Sequence, residues 1–183
     1  SFWQAYDSDN SQPFRETNHE PELWVQFPGF GTVFGFRNVL NRVGYVHQSN
    51  GKSEPLSRGW DRIYVDFVFE RGDWALSFRP WLRVDPSGSS DNPDIEDYLG
   101  HGDMLVAWAP ADSGNVFSLM LRNQIESGFD EGAAEFSWSF PLFDYPWVRG
   151  YLQYFYGYGE SLVDYDRRVN RIGIGLSFSD WLY

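Results

Sequence analysis

The chain has 183 residues, of which 26 are acidic and 14 basic, for a formal net charge of -12 at pH 7. That balance argues against a nucleic-acid partner, whose phosphates it would repel, and favours divalent cations. Aromatic residues make up 20% of the chain, cysteine is absent, and no window of about 18 apolar residues exists to cross a membrane as a helix. The lack of Cys fits an oxidising compartment, where stray thiols are a liability.

The opening "SFWQAYDSDN" has neither a basic start nor a long apolar core, so no secretory signal is expected in it. The expectation is therefore a mature, processed or fragmentary chain, and "SFWQAY", which reads as a strand entered partway, favours a fragment. From there period-2 alternation dominates. In "NVLNRVGYVHQSNG" the residues Val39, Val43, Tyr45, His47 and Ser49 share one face, and Arg42, Gly44 and Gln48 the other. In "DRIYVDFVFE" Asp61 shares its face with Ile63, Val65, Phe67 and Phe69, opposite Arg62, Asp66 and Glu70. A turn at Arg71-Gly72-Asp73 leads into "WALSFRPWLRV", with Trp74, Leu76 and Phe78 on one face. "NVFSLMLRNQ", "AAEFSWSF" and "RVNRIGIGLSF" repeat the pattern through Phe117, Leu119 and Leu121, then Phe136, Trp138 and Phe140, then Ile172, Ile174 and Leu176.

Segments with one apolar and one polar face are strands, and lengths of roughly ten residues suit a tilted bilayer crossing. About ten such strands are expected. Short turns at 71–73 and 112–114 alternate with longer polar loops at 50–60, 85–100 and 159–168. Aromatics gather near strand ends, as an interfacial girdle requires. These features predict an all-β transmembrane antiparallel β-barrel. A soluble β-sandwich alternates in the same way, but its apolar face needs a second sheet to cover it. With no repeat and no linker, residues 1–183 read as a single domain.

His47, Ser49 and Asp61 all fall on the apolar face, beside a polar loop. A polar cluster on a lipid-facing surface is costly unless it is paired and used. The chemistry is that of a hydrolytic triad. Ser49 is a weak nucleophile until a base, His47, takes its proton. Asp61 would accept the other imidazole N–H and fix the tautomer. The turn Ser49-Asn50-Gly51 offers a backbone N–H for an oxyanion, most plainly that of Gly51. The loop "KSEPLS" supplies oxygens from Ser53, Glu54, Ser57 and carbonyls, which suit Ca2+. Against this, His-x-Ser pairs are common by chance, and a loop rich in Ser, Gly, Asn and Pro is usually only a loop.

"HQSNGKSEPLSRGWDRIY" resembles the active-site segment of the outer-membrane phospholipase A family, and so do "SQPFRETNHEPEL", "SDNPDI" and "YGYGESLVDYD". The resemblance runs from about Ser11 onward. It implies a twelve-stranded barrel of the Gram-negative outer membrane that hydrolyses acyl esters of phospholipids, with A1, A2 and lysophospholipase activity. It also implies a Ca2+ requirement and activity as a homodimer. Matched motif to motif, His47 is the general base, Ser49 the nucleophile and Gly51 the oxyanion donor. The catalytic calcium falls to the Lys52 carbonyl and Ser57, with Ser11 of the partner subunit. A second calcium position falls to Glu54 and Asp91. The third triad position is Asn in the best-known members and Asp61 here. The family also carries a further N-terminal portion, including about two strands.

The remaining polar residues have plain readings. His19 and His101 are expected at the surface or in loops, and Glu160 in a structural role. Arg15, Glu16 and Asn18 belong to a polar network or a nearby turn. Beside the phospholipase stands a second class, a catalytically idle porin-like or structural outer-membrane barrel. A third is a soluble, aromatic-rich carbohydrate-binding sandwich.

Overall fold

A computed structural model of the chain describes residues 2–3, 14–84, 92–123, 127–128, 130–142 and 145–178. Strand β1 (Phe2–Trp3) pairs antiparallel with β2 (Phe14–Glu16). Then follow β3 (Glu22–Val33), β4 (Phe36–Ser49), β5 (Gly59–Arg71) and β6 (Trp74–Val84). After the helix α1 (Ile95–Leu99) come β7 (Gly102–Trp108), β8 (Val116–Arg122), β9 (Ala133–Leu142), β10 (Tyr145–Gly157) and β11 (Val169–Phe178). Strands β3 to β11 form one 9-stranded sheet in which each strand lies antiparallel beside its neighbours in sequence. The expectation of about ten strands thus resolves into nine in one sheet and a separate short pair. A five-residue helix occupies part of the stretch read as the loop 85–100.

The faces follow the alternation. Leu23, Tyr45, Ile63 and Leu82 are successive register partners across β3 to β6. Leu23 is 77% exposed, Leu82 70% and Ile174 84%. A protein in water does not carry so wide an apolar surface; it calls for an apolar surround. A sandwich would need a second sheet over it, and among the described residues the only other sheet is the short β1–β2 pair. Near the turns at 72–73 and 112–114, Trp74, Trp108, Phe117 and Trp138 are register partners with ring centroids 5.6, 5.5 and 5.9 Å apart. Such a row is an aromatic girdle at one rim.

Two irregularities break the pattern. The register shifts between Pro28 and Gly31 in β3 and between Asn38 and Leu40 in β4. Val39 therefore drops out of the ladder and does not continue the face of Val43 as the alternation predicted. Asn38 and Asn41, both buried, exchange hydrogen bonds of 3.0 and 2.9 Å. Asn38 Oδ1 also accepts from Phe30 N–H at 3.0 Å, and Asn41 Nδ2 donates to the Pro28 carbonyl at 3.2 Å. The pair satisfies backbone groups that the bulges release.

The other face is polar and internally paired. Arg79 meets Asp103 at 2.7 Å, Arg62 meets Glu20 at 3.0 Å, and Asp66 is shared by Arg42 at 3.6 Å and Ser77 at 2.7 Å. Gly44 is needed here, because a Cβ would lie 2.5 Å from the ring of Tyr64. At the end of the sheet where β4 finishes and β5 begins, a core closes this face. It joins Val46, Trp60, Tyr64 and Trp81 to Ile95 and Leu99 of α1 and to Leu162 and Tyr165. The Tyr165 hydroxyl donates to Asp94, and burial pushes its pKa up. Glu16, fully buried, accepts from Leu162 N–H at 2.9 Å and Val163 N–H at 2.8 Å. It thereby docks the segment ahead of β3 onto the loop 158–168.

Glu16→Ala would strand both amides, at about 1–3 kcal/mol each. The expected result is a lower unfolding midpoint in denaturant and earlier proteolysis within 158–168. An unchanged midpoint and cleavage pattern would contradict the docking role.

Candidate active site

The antiparallel register sets His47 directly opposite Asp61 and Ser49 opposite Gly59. His47 Nδ1 lies 3.0 Å from Asp61 Oδ1, with side-chain exposures of 42% and 17%. The carboxylate accepts, so Nδ1 carries the proton and Nε2 is left as the acceptor. Tyr45, two residues before His47, donates its hydroxyl to the same Asp61 oxygen. Ser49 stands two residues after His47 on the same face. Gly59 opposite it has no side chain to crowd its hydroxyl. No hydrogen bond joins Ser49 Oγ to His47 in this single chain. Such contacts commonly tighten only with substrate in place.

The backbone of this row is held from both sides. His19 N–H donates to the Ser49 carbonyl at 2.8 Å, Ser49 N–H returns a bond to the His19 carbonyl at 2.9 Å, and His47 N–H donates to the Pro21 carbonyl at 3.1 Å. His19 is exposed, as expected, but it is also the bridge partner of Ser49. Its ring faces Gly51, where an added Cβ would lie 3.5 Å from His19 Cδ2. Gly51 has φ 61, a left-handed conformation that glycine adopts without strain. Nothing in the sequence signalled this role for His19, because a single bridge leaves no alternation to read.

The loop 50–58 closes on one side chain. Asn50, buried, accepts from Lys52 N–H at 3.2 Å and Arg58 N–H at 3.0 Å, and donates to the Leu56 carbonyl at 2.7 Å. Its own N–H donates to the Arg58 carbonyl at 3.0 Å. Lys52 and Ser57, half-buried, are thus held on one closed ring of chain, with Glu54 exposed on its turn. Ser11 and Asp91 lie outside the described residues. Among the described residues no group of three or more His, Cys, Asp or Glu could hold a metal. The donors on this loop are a carbonyl and a hydroxyl, a neutral oxygen set suited to a hard cation.

The other candidates take plain places. His101 Nε2 lies 3.4 Å from Glu96 beside α1. Glu160 pairs with Arg171 at 2.9 Å, and burial pushes its carboxyl pKa up against the pull of that cation. Asn18 donates to Glu16 at 3.4 Å, in keeping with the polar network.

A model of the phospholipase A1 family matches residues 1–178. A putative phospholipase A1 of Neisseria meningitidis is 42% identical over 184 residues, which is 98% of this chain and 47% of that protein. Phospholipase A1 of Escherichia coli is 38% identical over 183 residues, 98% of this chain and 60% of its own length. The chain therefore spans about half to three-fifths of the curated relatives it matches. A crystal structure of the Salmonella typhi outer membrane phospholipase, a dimer with bound calcium, matches with a TM-score of 0.86 and 36% identity. That match covers 97% of this chain and 66% of the other. Outer membrane phospholipase A from Escherichia coli matches with a TM-score of 0.86 at 36% identity, over 98% of this chain and 72% of the other. The nine-stranded sheet is accordingly wall of the same antiparallel membrane barrel. With a family model spanning residues 1–178 and relatives of such identity along nearly all its length, the chain belongs to the phospholipase A1 family.

Proposed function

We propose that this chain is the catalytic barrel of a calcium-dependent phospholipase in the outer membrane of a Gram-negative bacterium. Residues 1–183 are read as one transmembrane domain, a reading supported by the single sheet that β3 to β11 form. It cleaves acyl esters of phospholipids and lysophospholipids and acts as a homodimer. The observation that carries the reading is the hydrogen-bonded His47–Asp61 pair, with Ser49 on the same outward apolar face. A nucleophile on that face meets acyl chains directly, with no need to draw a lipid into the barrel.

Ser49 Oγ attacks the ester carbonyl while His47 Nε2 takes its proton. Asp61 keeps the proton on Nδ1 and stabilises the imidazolium that forms. The N–H of Gly51 is assigned as the donor to the developing oxyanion. As the tetrahedral centre collapses, the C–O bond to the glycerol oxygen breaks and His47 returns the proton to that oxygen. The lysolipid leaves and an acyl-serine remains. Water, deprotonated by His47, then adds to the acyl-serine; as this adduct collapses the C–Oγ bond breaks, His47 returns the proton to Ser49 Oγ, and the fatty acid leaves. The Lys52 carbonyl and the Ser57 hydroxyl would hold calcium, with Ser11 of the partner subunit, and Glu54 and Asp91 would serve a second position. When bound, calcium would supply positive charge to polarise the ester carbonyl or a water beside it.

Asn stands at the position of Asp61 in the best-known members of the family that the sequence resembles, and its amide oxygen can accept from Nδ1–H as the carboxylate does. Asp61→Asn is expected to keep substantial hydrolysis of phospholipid in mixed micelles, and Asp61→Ala to lose about 10²- to 10⁴-fold. Equal rates for all three proteins would remove Asp61 from the mechanism. Chelation of calcium is expected to abolish hydrolysis and calcium, but not magnesium, to restore it. Hydrolysis indifferent to chelation would overturn the metal assignment, and no hydrolysis at all by folded, calcium-loaded protein would favour the idle barrel.

A further inference from the structure

Three residues of β4 stand in file on the apolar face: Tyr45, His47 and Ser49. The last two have roles in the proposed chemistry. Tyr45 is 40% exposed and sits between its register partners Leu23 and Ile63, both exposed on the same face. A phenolic hydroxyl in such surroundings needs a partner. It does not turn toward a backbone carbonyl. It reaches diagonally across the β4–β5 ladder to Asp61 Oδ1. Diagonal cross-strand neighbours are within reach of an aromatic side chain, so the contact follows from the register that pairs His47 with Asp61.

The same oxygen receives His47 Nδ1 at 3.0 Å. A carboxylate oxygen has two lone pairs, and here each has its own donor. The carboxylate cannot turn about its terminal torsion without giving up both bonds. A bond to an ionised acceptor in a dry setting is also stronger than a neutral one. With Tyr45 in place, Asp61 is fixed, and through it the imidazole that it holds at Nδ1, two residues before Ser49 on the same face.

We propose that Tyr45 is a positioning residue of the triad, whose hydroxyl locks Asp61 in the orientation that holds His47 for proton transfer. The proposal rests on the reading of His47, Ser49 and Asp61 as a working triad. Tyr45 bonds Asp61 through its hydroxyl and acts on the proton transfer through that carboxylate. Its ring serves the membrane face, and only its oxygen serves catalysis.

The test is a double-substitution cycle on the full chain, in detergent with calcium, with kcat and KM measured on one phospholipid. Tyr45→Phe keeps the ring and removes the oxygen. It is expected to lower kcat about tenfold and leave KM within about twofold, because an orienting bond matters to the transition state and not to lipid binding. In an Asp61→Ala background the same change is expected to cost nothing further, since its acceptor is gone. The resistance of the folded barrel to unfolding on heating in detergent serves as the folding check on each variant. Wild-type kcat in folded Tyr45→Phe would overturn the proposal, and so would an equal tenfold loss in both backgrounds, which is the mark of a merely structural effect. Ser49→Ala, run alongside, separates the two levels. If it stays active, the triad reading fails and takes this inference with it. If it is inactive while Tyr45→Phe matches wild type, the inference alone falls.

Discussion

The site depends on one register, residue 47 of β4 opposite residue 61 of β5. Side chains alternate along a strand, so a slip of one residue would carry Asp61 to the polar face and leave His47 without its carboxylate. Several features hold that register. On one side of β4, the bridge of His19 to Ser49 and the bond from His47 N–H to Pro21 secure the strand end. On the other, Asn50 closes the loop that returns the chain into β5 at Gly59. Further down, the Asn38–Asn41 pair absorbs the bulge that would otherwise let the strands shift. His19, Pro21, Asn50, Asn38 and Asn41 have no part in the proposed chemistry, yet each bears on whether the proposed triad can form.

The molecule divides its polar groups by purpose. On the polar face they are paired for structure, as in Arg79–Asp103 and Arg62–Glu20. On the apolar face they are few, and near the loop end two of them, Tyr45 and His47, converge on a single carboxylate oxygen. The apolar residues are divided as well. Those on the outer face serve an apolar surround, while the core that water cannot reach is confined to the loop end, where Trp60, Trp81, Ile95 and Leu162 pack together. That core lies directly behind the strand ends bearing His47, Ser49 and Asp61. The best-packed region among the described residues is therefore the one that carries the candidate site.

Much of this was legible in the sequence, because alternation is a local signal. It placed Ile63, Phe67 and Phe78 on one face and put His47, Ser49 and Asp61 together on it, before any pairing was known. Turn glycines such as Gly72 marked the short connections. What stayed hidden was non-local or aperiodic. The bulges at Pro28/Gly31 and Asn38/Leu40 leave no break in composition, so Val39 was counted on a face it leaves. Helix α1 is a single short turn with only Ile95 and Leu99 to bury, too brief for a periodic signal. Glu16 reaches its partners at Leu162 and Val163 across most of the chain, and nothing local announces it. Tyr45 was visible on the right face, but only the diagonal geometry shows that its hydroxyl meets Asp61.

The central claim is that Ser49 is an activated nucleophile presented outward to acyl chains. The most direct test is labelling by a sulfonyl fluoride with a long alkyl chain, in detergent, with and without calcium, followed by peptide mass mapping. The serine oxygen would displace fluoride from sulfur and keep the label. The account predicts a single modified residue, Ser49, labelled faster with calcium and not at all once His47 is replaced by Ala. Folded protein that takes no label under either condition, or takes it equally at other serines, would contradict it.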